Sequence, residues 1–551
     1  MKKILALIAI VITITACKER NEKTLPRPKL VIGLVVDQMR WDYLYRYYDR
    51  YGKDGFKRLM NNGYNCQHTM INYLPANTGP GHACIYTGSV PSIHGIAAND
   101  WTDRSTGRHW YCVEDTNVRQ VNSTDGLPSM SPRNLLVTTV TDELRLATNL
   151  KSRVYGIAIK DRGSILPAGH LANAAYWYND KTGDFTTSTY YPNGNPAWLQ
   201  AFNKRKVGDS LVKKNWTLLY DAGTYTQSST DANGYEKPFK GEKAPMFPHV
   251  LDTLSDTDRY AVIKSMPAGN TLTFDIAREC INGEKLGQTD ATDFLCVSLS
   301  STDYAGHQFG PNAIEMEDMY LRLDMEITAF LQYLDNTVGK DNYVMFLSAD
   351  HGAAHNTSYL YDMDIPGGML NGGIYDDMNA YLKGKFGTDS LVKAMMNYQV
   401  YFADDRIAAA KLDRTAIKSS LIEWLNKRQE ITYVVDMDNM GRYAIPEPIN
   451  TMVINGYNRK RSGSIQIVLD AGWIENSKAT GTTHGTWQPY DTHIPLLWYG
   501  WHIKKGQTDK TTHMEDIAPT IAALLHIQMP NGCIGKVIDG VIRTSHSEKK
   551  E

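Results

Sequence analysis

Three short stretches of the chain are almost unbrokenly apolar: Val31 to Val36, Thr292 to Ser300 and Tyr343 to Ser348. None alternates polar with apolar, and strands of that kind suit a parallel sheet buried on both faces. Elsewhere the period lengthens. Met316, Met319, Tyr320, Leu323, Ile327, Phe330, Leu331 and Leu334 recur three or four residues apart, which predicts a long helix with one apolar face. Ser131-Pro132 predicts the cap and first position of another, with Leu136, Val140 and Leu144 on one side. Strands alternating with helices predict an α/β fold: a mostly parallel central sheet with helices on both faces, forming a sandwich. Residues 101–130 and 178–265 lose the rhythm and predict insertions on the rim of the sheet, the basis of a cap over a site. A third irregular stretch covers 356–372. The expected organisation is a single domain over 29–544 with a charged tail at 545–551.

The N-terminus reads differently. Lys2 and Lys3 precede an apolar run from Ile4 to Ile14, then Thr15-Ala16-Cys17, the order of a secretory signal. Ile14-Thr15-Ala16-Cys17 resembles a bacterial lipobox, so residues 1–17 are read as a signal peptide and 18–28 as a tether. The chain is then exported, as a periplasmic or outer-membrane-anchored lipoprotein attached only through Cys17; a soluble secreted protein is the plain alternative. Export makes disulfides plausible among Cys66, Cys84, Cys112, Cys280, Cys296 and Cys533, while Cys84 and Cys296 also fit buried thiols. The 551 residues carry a formal charge of only −2, which gives no general attraction to nucleic acid.

The chemistry lies where strands end. Ligands of open α/β sheets collect at the carboxyl ends of the strands, and Asp37, Asp303 and Asp350 are each expected there. Asp303-Tyr-Ala-Gly-His307 sets a carboxylate and an imidazole around a glycine turn. Asp350-His351-Gly352 puts two metal-competent side chains directly after a strand, and His484 stands in Gly481-Thr-Thr-His484-Gly485. Asn77-Thr78-Gly79-Pro80-Gly81 opens a helix-like segment, so Thr78 would sit at a helix N-terminus suited to a phosphate oxygen. Taken alone it is as readily a simple cap. Lys160-Asp161-Arg162, after the apolar run Val154 to Ile159, reads by itself as a solvated turn. His82 and His355, near these motifs, are read as supporting the ligands from behind or as structural.

Taken together, the strings VVDQMR, NTGPGHACIYTG, STDYAGHQFG, SADHG and GTTHG resemble the alkaline phosphatase superfamily, in its PafA-type secreted branch. The resemblance implies two zinc ions, one held by Asp303, His307 and His484, the other by Asp37, Asp350, His351 and the Thr78 oxygen. It implies Thr78 as a nucleophile that becomes a phosphothreonine. Asn99, Lys160 and Arg162 match the branch's phosphate-binding groups, which favours phosphate monoesters of small molecules. A phosphodiesterase or nucleotide pyrophosphatase on the same scaffold is the alternative. A sulfatase would need C-x-P-x-R or S-x-P-x-R, and residues 77–81 offer neither.

Overall fold

A computed structural model describes residues 25–121, 128–251, 254–370, 372–476 and 478–543. The signal segment, most of the tether and the charged tail lie outside the described residues. The apolar runs do become strands. β1 (Leu30–Val36), β2 (Tyr64–Met70), β3 (Val154–Ala158), β4 (Ala174–Asn179), β5 (Asp184–Thr186), β6 (Asp293–Leu299), β7 (Tyr343–Ser348), β8 (His493–Gly500), β9 (Gly506–Thr508) and β10 (Thr512–His513) form one ten-stranded sheet. Its order is β9-β2-β8-β7-β1-β6-β3-β4-β5, with β10 also on β2. The centre, β7-β1-β6-β3-β4, is parallel; β8 runs against β7 and β2, and β5 against β4. Every residue of β1, β3, β6 and β7 is buried, as their composition requires.

Two groups of helices flank this sheet. One contains α1 (Thr78–Thr87), packed on α2 (Asp161–Ala168). The other joins α3 (Pro267–Glu284), α4 (Ser301–Phe309) and the long α5 (Ile314–Leu334). Register places the active end. Val35 lies opposite Ser298 of β6 and Ser348 of β7, so Asp37, the start of α4 and Asp350 emerge level with one another.

Several expectations need correction. Ser131 caps only the short 3-10 turn Pro132–Asn134, accepting from the Arg133 N–H at 3.2 Å. The helix proper starts at Val140, where Thr139 and Asp142 form a reciprocal capping box, a stronger start signal than Ser-Pro. Leu136 therefore falls outside it and is 57% exposed. Asp303 and His307 are joined by helix rather than a glycine turn; Gly306 is needed because a Cβ there would lie 1.8 Å from Gln38 Oε1. The six described cysteines are free thiols, five of them buried.

Residues 370–469 contain a lobe the periodicity did not reveal. Strands Val392–Met396, Gln399–Phe402, Ile465–Leu469 and Ile431–Asp436 form an antiparallel sheet in that order. Helices Ile374–Phe386 and Arg414–Leu425 cover it, and Met378, Leu382, Val400, Ile417, Leu421 and Ile467 make its own core.

Candidate active site

At the carboxyl end of β1, Asp37 and Gln38 leave the sheet, and Gln38 takes a left-handed φ of 64°. That bend lets one residue serve two carboxylates. The Gln38 N–H donates to Asp350 Oδ1 at 3.1 Å and its side-chain amide to Asp303 Oδ1 at 2.7 Å. Thr302 donates to the Asp37 carbonyl at 2.5 Å, fastening the start of α4 to the end of β1.

The three histidines share one arrangement. Nδ1 of His307 lies 2.9 Å from the Thr482 carbonyl, Nδ1 of His351 2.9 Å from that of Gly352, and Nδ1 of His484 2.8 Å from that of Ala76. A carbonyl oxygen can only accept, so each Nδ1 carries the hydrogen and each Nε2 keeps its lone pair for the site. His351 and His484 stack with ring centres 3.5 Å apart, and burial holds both below the ordinary imidazole range. His307 goes the other way, because Asp303, with Oδ1 3.3 Å from its Nε2, outweighs burial.

Donor atoms of Asp37, Asp350 and His351 lie within 4.8 Å of one another, as do those of Asp303, His351 and His484. Asp37 Oδ1 and Asp350 Oδ2 are buried without a hydrogen-bond partner among the described residues. Orphaned carboxylate oxygens facing unprotonated imidazole nitrogens are a donor set that fits divalent cations, and nitrogen with oxygen suits zinc. Burial and the neighbouring Asp350 push Asp37 well up. Burial also acts on Asp303, but His307 and Lys160 outweigh it and hold that carboxyl well down.

Thr78 is the first residue of α1, preceded by Asn77 in extended conformation, and the whole helix is buried. Its Oγ lies 3.2 Å from Lys160 Nζ and 3.4 Å from His351 Nε2. Lys160 Nζ also reaches Asp303 Oδ2 at 2.5 Å and Asp37 Oδ2 at 2.8 Å, so the ammonium stands among the ligand carboxylates as well as beside Thr78. Asn99 accepts from the Gly79 N–H at 2.7 Å, which leaves its NH₂ free to donate. Arg162 contacts the Tyr111 hydroxyl rather than any of these groups. His82 supports the site from behind, with Nδ1 2.9 Å from the Thr78 carbonyl and Nε2 2.8 Å from Ser298.

Part of the 178–265 insertion braces this end of the molecule. The Tyr235 carbonyl accepts from the Gly481 N–H at 2.7 Å, and the Lys237 N–H donates to Gln308 at 3.0 Å. Asn356 gathers the carbonyls of Tyr235, Ala479 and Gly481, tying the insertion to the His484 loop.

Residues 31–493 match the family described as Type I phosphodiesterase / nucleotide pyrophosphatase. The chain belongs to that family. Its similarity to particular members runs nearly end to end. It is 49% identical over 525 residues to alkaline phosphatase PafA of Elizabethkingia meningoseptica, covering 95% of this chain and 96% of that one. Alkaline phosphatase PhoV of Synechococcus elongatus is 51% identical over 521 residues, 95% of this chain and 94% of its own. A protein of Myroides odoratus named calcium-transporting ATPase is 52% identical over 522 residues, 94% and 95% of the two chains. The crystal structure of wild-type PafA superposes with a TM-score of 0.91 over 94% of this chain and 100% of that chain. The expected α/β sandwich is thus the fold of the family.

Reading the sequence missed Gln38, Tyr111 and Asn356. Gln38 had a signal, since it sits inside VVDQMR beside Asp37. The other two touch the site only through chain folding.

Proposed function

We propose that this member of the family is a phosphate monoester hydrolase, an alkaline phosphatase, that holds two zinc ions and passes the phosphoryl group through Thr78. The observation that carries the reading is the place of the Thr78 hydroxyl: at a buried helix N-terminus, 3.2 Å from an ammonium and within reach of His351. The names of PafA and PhoV support the activity. The transport in the Myroides odoratus name is not carried over, since these residues account for hydrolysis.

Asp37, Asp350, His351 and the Thr78 oxygen would hold one ion, and Asp303, His307 and His484 the other. Bound zinc lowers the pKa of a coordinated hydroxyl towards neutrality and offsets charge on a leaving oxygen. Thr78 Oγ then bonds to phosphorus as the ester P–O bond breaks, giving the alcohol and a phosphothreonine. Water attacks in the second step, the P–Oγ bond breaks, and Thr78 regains its proton as inorganic phosphate leaves. Lys160, Arg162, the Asn99 amide and the N–H groups opening α1 bind the non-reacting oxygens. A monoester carries about two negative charges there against one on a diester, so paired cations favour the monoester.

Among the described residues no helix is long and apolar enough to cross a membrane. The order of Lys2-Lys3, the apolar run and Cys17 supports export with a lipid on Cys17. Mass spectrometry of the mature N-terminus checks this: a diacylglyceryl-cysteine is expected, and an unmodified Cys17 in the mature chain contradicts it.

The test of the reaction is an acid quench of the zinc-loaded enzyme with excess aryl phosphate. Phosphate on the peptide containing Thr78 is expected. Turnover with that peptide unlabelled under every quench condition overturns the covalent route, and a higher kcat/KM for the methyl aryl diester moves the chain to the phosphodiesterase reading.

A further inference from the structure

The stretch 101–130 does more than decorate the rim. Strand Asp100–Thr102 pairs with His109–Tyr111, making a small hairpin. Its base is fixed beside the nucleophile: the Cys112 N–H donates to the Asn99 carbonyl at 2.8 Å, and Asn99 Oδ1 accepts from Gly79 in the first turn of α1. A Cβ on Gly79 would come within 3.1 Å of Asn99 Oδ1 and 3.2 Å of Cys112 Sγ, so hairpin and helix are in direct contact. Tyr111 is the last residue of that strand.

Its hydroxyl stands between two charged groups from the start of α2. It donates to Asp161 Oδ1, which directs its lone pairs towards Arg162, and Arg162 Nη1 lies 3.1 Å away. That is the guanidinium's hydrogen bond among the described residues; Nε is buried with no partner. No carboxylate forks the guanidinium, so donors remain for an incoming ligand. Arg162 follows Lys160 by two residues at the opening of α2, and the Lys160 ammonium touches Thr78, so both cations stand at the nucleophile's end of the site.

We propose that Tyr111 is a positioning residue: its hydroxyl, oriented by Asp161, holds the Arg162 guanidinium towards the phosphoryl oxygens and so sets the preference for monoesters over diesters. Without that hydroxyl a long, rotamer-rich side chain loses its fixed direction, and Arg162 binds the extra charge of a monoester less well. The hairpin is then the arm that supplies specificity, and a diester, lacking the second charge, is indifferent to it. This rests on the reading that Arg162 binds phosphoryl oxygens.

A double-mutant cycle with Tyr111→Phe and Arg162→Ala tests it, reading kcat/KM on an aryl phosphate and on its methyl diester. Tyr111→Phe keeps the ring and is expected to lower monoester kcat/KM about tenfold, the scale of one hydrogen bond to a charged group, leaving the diester unchanged. In the Arg162→Ala background the same substitution should do nothing further. Equal losses on both esters, or losses that multiply in the double variant, overturn the proposal. Asp161→Ala gives an independent arm: it frees the hydroxyl and should reduce the monoester selectively, and unchanged selectivity there also counts against it. If Arg162→Ala itself leaves monoester hydrolysis intact, the fault lies in the role given to Arg162 rather than in the link to Tyr111.

Discussion

The groups that would hold metal and those that would grip the phosphoryl oxygens are mounted in different ways. Asp37, Asp303 and Asp350 follow three fully buried parallel strands locked in register, Val35 opposite both Ser298 and Ser348. None can shift without disturbing the core of the molecule. Asn99 and Tyr111 instead stand at the base of a hairpin of two three-residue strands, while Lys160 and Arg162 open α2 just after β3, with Lys160 among the ligand carboxylates. The groups that would hold metal are thus mounted on the buried centre of the sheet. On the proposed reading, selection among phosphate esters draws in part on a small appended arm, through Asn99 and Tyr111. Such a division lets a scaffold keep its chemistry while the ester it prefers changes.

The comparison can be broken first at Thr78. Thr78→Ala removes the nucleophile and should cost at least about 10³-fold in kcat on monoester and diester alike. Zinc content by atomic absorption should fall little, because the six side chains other than Thr78 assigned to the two ions remain; retention of most activity would show that the hydroxyl is not the acceptor.

Stability sharpens the contrast from the other side. Ile417 is fully buried in the separate core of the 370–469 lobe. Ile417→Ala should cost about 2–5 kcal/mol in unfolding free energy while kcat at 25 °C stays constant. A matching loss of kcat would mean the lobe takes part in the reaction.

The smallest effect concerns pH. Glu236 in the 178–265 insertion is buried, and burial together with Glu315 raises its pKa to about 9; Asp231 adds to the rise and the Asn233 amide opposes it. His249, itself raised to about 9, pairs with Glu315 and Glu242. For an acid whose folded pKa is raised, the folded state holds the proton the unfolded chain has lost. Stability from this group is therefore present below about 4 and drains away as pH climbs towards 9. Glu236→Gln should raise Tm over the unsubstituted protein by a margin that widens between pH 5 and pH 9. A constant margin would contradict the assignment.

The legible parts were those encoded locally. Apolar runs ending in aspartate gave strands with their ligands, and Asn77-Thr78-Gly-Pro marked a helix start correctly because Pro80 needs no N–H partner in the first turn. Asp303 and His307 looked like a turn because Gly306 suggested one, whereas that glycine serves a close approach to Gln38. The role of Tyr111 could not be read, since the contact joins residues 51 apart through a hairpin with no strong periodicity. The 370–469 lobe was missed for a similar reason: its strands are four to six residues long and pair across up to 67 positions.

The most direct measurement is the ratio of monoester to diester kcat/KM in the zinc-loaded enzyme and in its Lys160→Ala/Arg162→Ala variant. The expected result is a monoester preference that falls by about 10²–10³-fold in the variant while diester hydrolysis persists. A ratio unchanged by both substitutions would contradict the account, because selection would then reside with the metal-binding groups themselves.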